Sequence, residues 1–112
     1  MEINAVEESG RTNCEVSSGV LLRSFMNETR RHILFSIVEN EKSTREISEE
    51  IHVPVSTCYE LIRELLSNRL IRVERIQFDP LHGKIAYYKA THKGISVELG
   101  PRCLRVQAFL QQ

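Results

Sequence analysis

Between Ser43 and Asn68 the sequence STREISEEIHVPVSTCYELIRELLSN leaves room for little besides two helices joined by a tight break. Ser43-Thr44-Arg45-Glu46 is a capping box. The Ser hydroxyl accepts from an amide three residues on, and the Glu carboxylate accepts in return from the Ser amide. The helix that starts there is expected to end near Ile51. Pro54 has no amide to donate and disfavours helical geometry at Val53, so His52-Val53-Pro54 is the turn and a second helix begins at about Val55.

At 3.6 residues per turn, that second helix carries Cys58, Leu61, Ile62 and Leu65 on one side and Ser56, Glu60, Arg63 and Ser67 on the other. Thr57 and Tyr59 flank the polar side. An ordinary solvated amphipathic helix has the same pattern. What separates this stretch from one is its company: a capped helix, a three-residue break and a longer helix opening with small hydroxyl residues form the geometry that enters a DNA major groove. The stretch is therefore read as a helix-turn-helix, with Val55–Asn68 as its recognition helix.

The rest of the chain is arranged around this unit. Residues 1–17 are polar, acidic and without periodicity, and read as a disordered tail. Leu21, Leu22, Phe25 and Met26 share a face, which predicts a short helix from Ser18 to Met26. Asn27 then caps a helix from Glu28 to about Glu39 with Ile33, Leu34, Ile37 and Val38 inward. Phe35 falls off that stripe and is expected to be covered by Leu21 to Met26, the alternative being a subunit interface.

After Asn68 the chain changes character. Leu70 to Phe78 is rich in β-branched and aromatic residues, Asp79-Pro80-Leu81-His82-Gly83 is turn chemistry, and Lys84 to Ala90 is strand-like again. This predicts a β-hairpin over Leu70–Ala90, and a change of apolar phase between Val73 and Ile76 marks a bulge or the start of an exposed tip. Ile95–Leu99 and Arg102–Leu110 alternate apolar and polar positions on both sides of Gly100-Pro101, which predicts a second hairpin, or one strand followed by a second, longer one. The expected fold class is α+β, a winged helix-turn-helix of three to four helices with a hairpin wing and an extra C-terminal hairpin. Residues 18–91 are its core, and 92–112 are a possible dimerisation element.

A chain of 112 residues holds one domain. No apolar run approaches the ~20 residues of a membrane span, the start is acidic where a signal peptide is basic, and Cys14, Cys58 and Cys103 are odd in number and far apart. Together these predict a cytoplasmic protein with no membrane partner. Formal net charge is zero, but residues 61–112 carry nine bases against four acids. That uneven distribution is a modest footprint for a phosphate backbone.

Particular words of the sequence also resemble a known family. Asn27-Glu28-Thr29-Arg30-Arg31-His32-Ile33-Leu34, Thr44-Arg45-Glu46-Ile47-Ser48, Val53-Pro54-Val55-Ser56-Thr57-Cys58-Tyr59, Leu70-Ile71 and Gly83-Lys84 to Thr91 are similar to ArsR-like transcriptional regulators, particularly archaeal ones. The resemblance covers about Ser18 to Thr91. It implies a homodimer on double-stranded DNA, with Ser56, Thr57, Tyr59 and Arg63 facing the duplex. Glu60 departs from the family, where a basic residue is common. So does the C-terminal end, where many members dimerise through a helix and this chain offers strands.

Metal sensing, the best-known branch of the family, needs clustered thiolate or imidazole ligands. His32, His52, His82 and His92 are scattered, Cys58 is expected to pack inward, and His92 with Cys103 is the one pair that neighbouring strands could bring together. No metal and no cofactor are expected. Nor does the sequence hold a phosphate loop or a nucleophile elbow, so no enzyme is expected. The competing reading is a winged-helix module that docks protein without binding DNA, for which Glu60 and Glu64 would be natural. Arg72, Arg75, His82 and Lys84, clustered on the hairpin, favour DNA. The expectation is a sequence-specific DNA-binding transcriptional regulator, with Thr44, Ser56, Thr57, Tyr59, Arg63, Arg72, Arg75, His82 and Lys84 as contacts.

Overall fold

The structure is a computed structural model that describes residues 18–99, 101 and 104–111. The expected tail at residues 1–17, together with Cys14 and Cys103, lies outside them. Four helices come first: α1 (Ser18–Met26), α2 (Glu28–Ser36), α3 (Thr44–Ile51) and α4 (Val55–Ser67). Four strands follow as two antiparallel pairs, β1 (Ile71–Asp79) with β2 (Gly83–Ala90) and β3 (His92–Leu99) with β4 (Leu104–Leu110).

Local chemistry accounts for the helix boundaries. Asn27 accepts from the Arg30 amide at 2.9 Å and starts α2. The Arg31 guanidinium reaches back to the Phe25 carbonyl at 3.0 Å, fixing α2 against the end of α1. The expected continuation of α2 to Glu39 does not occur. Ser36 Oγ donates to the Ile33 carbonyl at 2.7 Å, Ile37 leaves helical geometry, and the Ile37 carbonyl accepts instead from the Ala90 amide at 3.1 Å. A strand contact more than fifty residues away thus claims the group that a further helical turn would have used.

At α3 the capping box is complete, with Ser43 Oγ accepting from the Glu46 amide at 3.2 Å and the Glu46 carboxylate accepting from the Ser43 amide at 3.0 Å. The helix closes on His52, which takes the left-handed conformation at φ 59°. Ser48 Oγ then donates to the Val53 carbonyl at 2.5 Å and holds the break before Pro54.

The core gathers Leu21 from α1, Ile33, Leu34 and Ile37 from the α2 segment, Ile47 from α3, and Cys58, Ile62 and Leu65 from α4. Leu70, Ile71, Ala90 and Ala108 close it from the strand side. Every apolar position on the inner side of α4 is used, with Leu61 half-buried. Phe35 is the exception to the expected packing, since α1 does not cover it and its side chain is 60% exposed. α1 spends Leu21 on the core instead, and Phe35 stands at the edge of a cavity of about 950 Å3 that Phe25, Val38, Ile51 and Ile95 also line.

The β1–β2 hairpin rises out of this core. Its base, Ile71 paired with Ala90, is buried, and the register shifts between Val73 and Arg75, where the sequence changes apolar phase. Lys42 bridges Tyr88 on the other edge of β2, with backbone bonds of 3.1 and 2.8 Å, and so ties the α2–α3 loop to the hairpin. The β3–β4 pair is part of the same body: Val106 and Ala108 are fully buried, and the Gln111 side chain donates to the Val38 carbonyl. Its register sets Leu110 opposite His92.

Candidate nucleic-acid interface

The outward side of α4 presents Ser56, Thr57, Tyr59, Glu60 and Arg63, all exposed, with the Tyr59 ring 55% accessible. No side chain caps the start of this helix, where Pro54 occupies the cap position. Its first-turn amides, at the positive end of the helix dipole, therefore suit an outside acceptor such as a phosphate oxygen. Of the two acids on the outer half of α4, Glu64 is neutralised by Arg30, which donates from Nε at 2.8 Å. Glu60 has no such partner among the described residues.

Beside α4 lies a cleft of about 580 Å3 between the helix-turn-helix and the hairpin. Thr44, Arg45 and Tyr59 line one wall, and Asp79, His82, Lys84 and Tyr87 line the other. The acids in it are committed. Glu46 caps α3, and Asp79 accepts from the Leu81 amide at 2.7 Å and faces His82 Nδ1 at 3.3 Å. These contacts, the Leu81 amide first, hold the Asp79 carboxyl below its ordinary range. Arg45 and Lys84 form no ion pair among the described residues, so both cations of the cleft are open to an outside acceptor, although Glu46 and Asp79 balance their formal charge.

The structure sorts the sequence candidates into groups. Ser56, Thr57, Tyr59 and Arg63 share the exposed side of α4, and Tyr59 lines the same cleft as His82 and Lys84. Thr44 is brought to the cleft but is 4% exposed, so it forms wall, not surface. Arg72 is held by Glu74 at 2.8 Å. Arg75 is held by Glu41 at 2.7 Å and lies 4.0 Å from the centre of the Tyr87 ring.

The residue that sequence reasoning passed over is Arg45. Position two of a capped helix points outward beside a buried first residue, and that spacing was available in the sequence as the signal. Cys58 is fully buried, donates weakly to the Val53 carbonyl at 3.8 Å, and burial pushes its thiol pKa up. Among the described residues no three His, Cys, Asp or Glu side chains gather as a metal site requires, and no helix is long and apolar enough to cross a membrane.

Comparison with a family of known proteins covers α2, α3, α4 and the start of β1. Residues 26–72 match the family described as winged helix-turn-helix DNA-binding. The chain folds as a winged helix-turn-helix. Among solved structures, this winged helix-turn-helix is similar to reduced HlyU from Vibrio cholerae, at 23% identity and a TM-score of 0.55 over 65% of this chain and 70% of that one. It is also similar to NolR from Sinorhizobium fredii, at 20% identity and a TM-score of 0.54 over 66% and 68%. At such identities the likeness concerns the fold. No curated protein matches the sequence.

Proposed function

We propose that this protein is a sequence-specific DNA-binding transcriptional regulator of ArsR-like, archaeal type, acting in the cytoplasm as a homodimer. The observation that carries the proposal is the pairing of an exposed, hydroxyl-led α4 with a cleft whose acids are already bonded and whose Arg45 and Lys84 are not. Under this reading, α4 lies in the major groove with Ser56, Thr57, Tyr59 and Arg63 at base edges and nearby phosphates. The phosphate backbone runs past Arg45, His82 and Lys84. Exposed charge without such partners would also suit a protein-docking module, but the match of residues 26–72 to a DNA-binding family favours the duplex.

One recognition helix reads only a few base pairs, and a two-fold partner doubles the site. Met26 at 74% and Phe35 at 60% exposure, from α1 and α2, supply apolar surface for that partner, with the β3–β4 pair as a second contributor. Residues 18–91 then form the DNA-binding core and 92–112 an accessory to dimerisation. Titration of random-sequence duplex with the purified protein at low and moderate salt tests the proposal. Binding at low salt that weakens linearly in log salt is expected. Absence of binding at low salt would remove DNA from the account and leave the protein-docking alternative.

A further inference from the structure

A cavity of about 950 Å3 opens between the ends of α2 and α3 and the start of β3, with Phe35, Val38 and Ile51 on its helix side. It meets β3 edge-on. Lys93, Gly94 and Ile95 line it in succession, where a strand turned face-on would show every second residue, and no residue of β4 takes part. The cavity therefore runs along the edge of β3 that β4 leaves open. From Lys93 to Val97 the strand makes backbone bonds only with β4 among the described residues, so its outer amides and carbonyls are a template for another strand.

The second half of β3 has the opposite character. Ser96, Val97 and Glu98 are all exposed. Val97 and Val106 stand opposite each other in the register and so share a face, yet Val106 is fully buried and Val97 is 46% exposed. Cover on that face ends at β4 and leaves an apolar side chain bare on the outer strand. One strand thus has a recess beside its first half and a bare second half.

We infer that the recess is filled by β3 of a second copy, paired antiparallel across a two-fold axis at Ser96. The inference rests on the homodimer reading above and deepens it by naming the contact. In this register Ile95 of each copy lies opposite Val97 of the other, and Gly94 opposite Glu98, so each bare half enters the other copy's recess. The two β3–β4 pairs become one four-stranded sheet.

Charge agrees with this occupant. Lys42 and Glu50 in the cavity are bonded to each other at 2.8 Å, which leaves Lys93 and Glu39, one of each sign. A strand that carries Lys93 and Glu98 matches that balance. The register shift between His92 and Gly94 makes Lys93 an extra residue beside Gly94, so Glu98 of the second copy arrives next to it.

The test measures self-association of the full chain by sedimentation. Wild type should dimerise. Val97→Lys, at an exposed position that spares the core, should weaken the dimer about tenfold by driving a charge into the recess. Lys93→Glu and Glu98→Lys should each weaken it about tenfold by setting like charges together, and an equimolar mixture of the two should recover the wild-type association, because every contact in the mixed dimer joins opposite charges. Weakening by both reversals without recovery in the mixture would overturn the antiparallel pairing at Ser96. A wild-type dimer unmoved by Val97→Lys and by both reversals would also overturn it, leaving the homodimer reading on Met26 and Phe35 and the recess to a small molecule. A wild type that stays monomeric at tens of micromolar would overturn the homodimer reading itself, and the strand pairing with it.

Discussion

Arg75 donates from Nε to the Glu41 carboxylate at 2.7 Å, and its guanidinium lies over Tyr87, so the most prominent cation on the β1–β2 hairpin is bonded within the protein. The bond to Glu41 is the chief reason the Arg75 pKa is raised further above its already high value. It joins the loop after α2 to β1 and stiffens the hairpin at the bulge. It also withdraws one charge from the phosphate-binding set.

Releasing that charge should therefore be visible in DNA binding. Glu41→Gln should raise affinity for all sequences alike and steepen the dependence of log K on log salt, by up to about one ion released. Lys84→Ala, which removes a cation with no internal partner, should lower affinity for all sequences and make the slope shallower by about one. A salt series on two unrelated duplexes checks both. Equal slopes in the two variants would show that the pairing of Arg75 is irrelevant to the interface.

The wing tip should respond to acid. Asp79 has its folded pKa depressed below the ordinary 3.8 by the Leu81 amide and His82, so its stabilisation of the turn is complete above that value. It is lost as pH falls below 3.8 through the depressed value. Hydrogen exchange at the Leu81 amide should be slow in the wild type near neutrality. Its protection relative to a free amide at the same pH should fall below the ordinary carboxylate range, and at all pH values in Asp79→Ala. Asp79→Asn, which keeps an acceptor oxygen, should retain much of the protection near neutrality and lose the acid response. Protection unaffected by Asp79→Ala would show that the turn does not depend on this bond.

Cys58 is predicted to be structural. Cys58→Val fills nearly the same buried space and should cost less than about 1.5 kcal/mol while leaving DNA affinity unchanged, as volume-conserving core changes do. Cys58→Asp should unfold the motif, because an unpaired carboxylate would replace an inert thiol among Ile47, Ile62 and Leu65. Denaturant melts followed by DNA titration check both. If oxidation released DNA from the wild type and not from the Val variant, the thiol would be a switch.

The capping box can be weighed in the same way. Ser43→Ala removes the acceptor for the Glu46 amide and should destabilise the fold by about 1 kcal/mol. Thermal melts that show no loss would place the start of α3 under tertiary control instead.

Much of this architecture was legible because it is written in neighbouring residues. Ser43 with Glu46, Pro54 after the turn, the Cys58–Ile62–Leu65 stripe and the broken phase at Val73 each act over a few positions, and the structure has all of them. The parts that were not legible depend on distant partners. Ile37 leaves α2 because its carbonyl serves Ala90, Arg75 finds Glu41, and Arg30 finds Glu64. Phe35 illustrates the same limit. A helix wheel shows that it lies off the stripe, but only the placement of α1 shows that nothing in the described chain covers it. The wing arginines had the right residue type for phosphate, and periodicity could not reveal that Glu74 and Glu41 already hold them.

The most direct test of the account concerns Arg63, exposed on the outer side of α4 and without an ion-pair partner among the described residues. Wild type and Arg63→Ala would each be titrated against the preferred duplex and against single-base variants of it, with circular dichroism confirming that both are folded. The account predicts a loss of about 1–3 kcal/mol on the preferred duplex and relaxed discrimination at one base pair, as expected for a base-reading arginine. Unchanged affinity and unchanged preference in a folded Arg63→Ala would contradict the assignment of α4 as the DNA-reading helix.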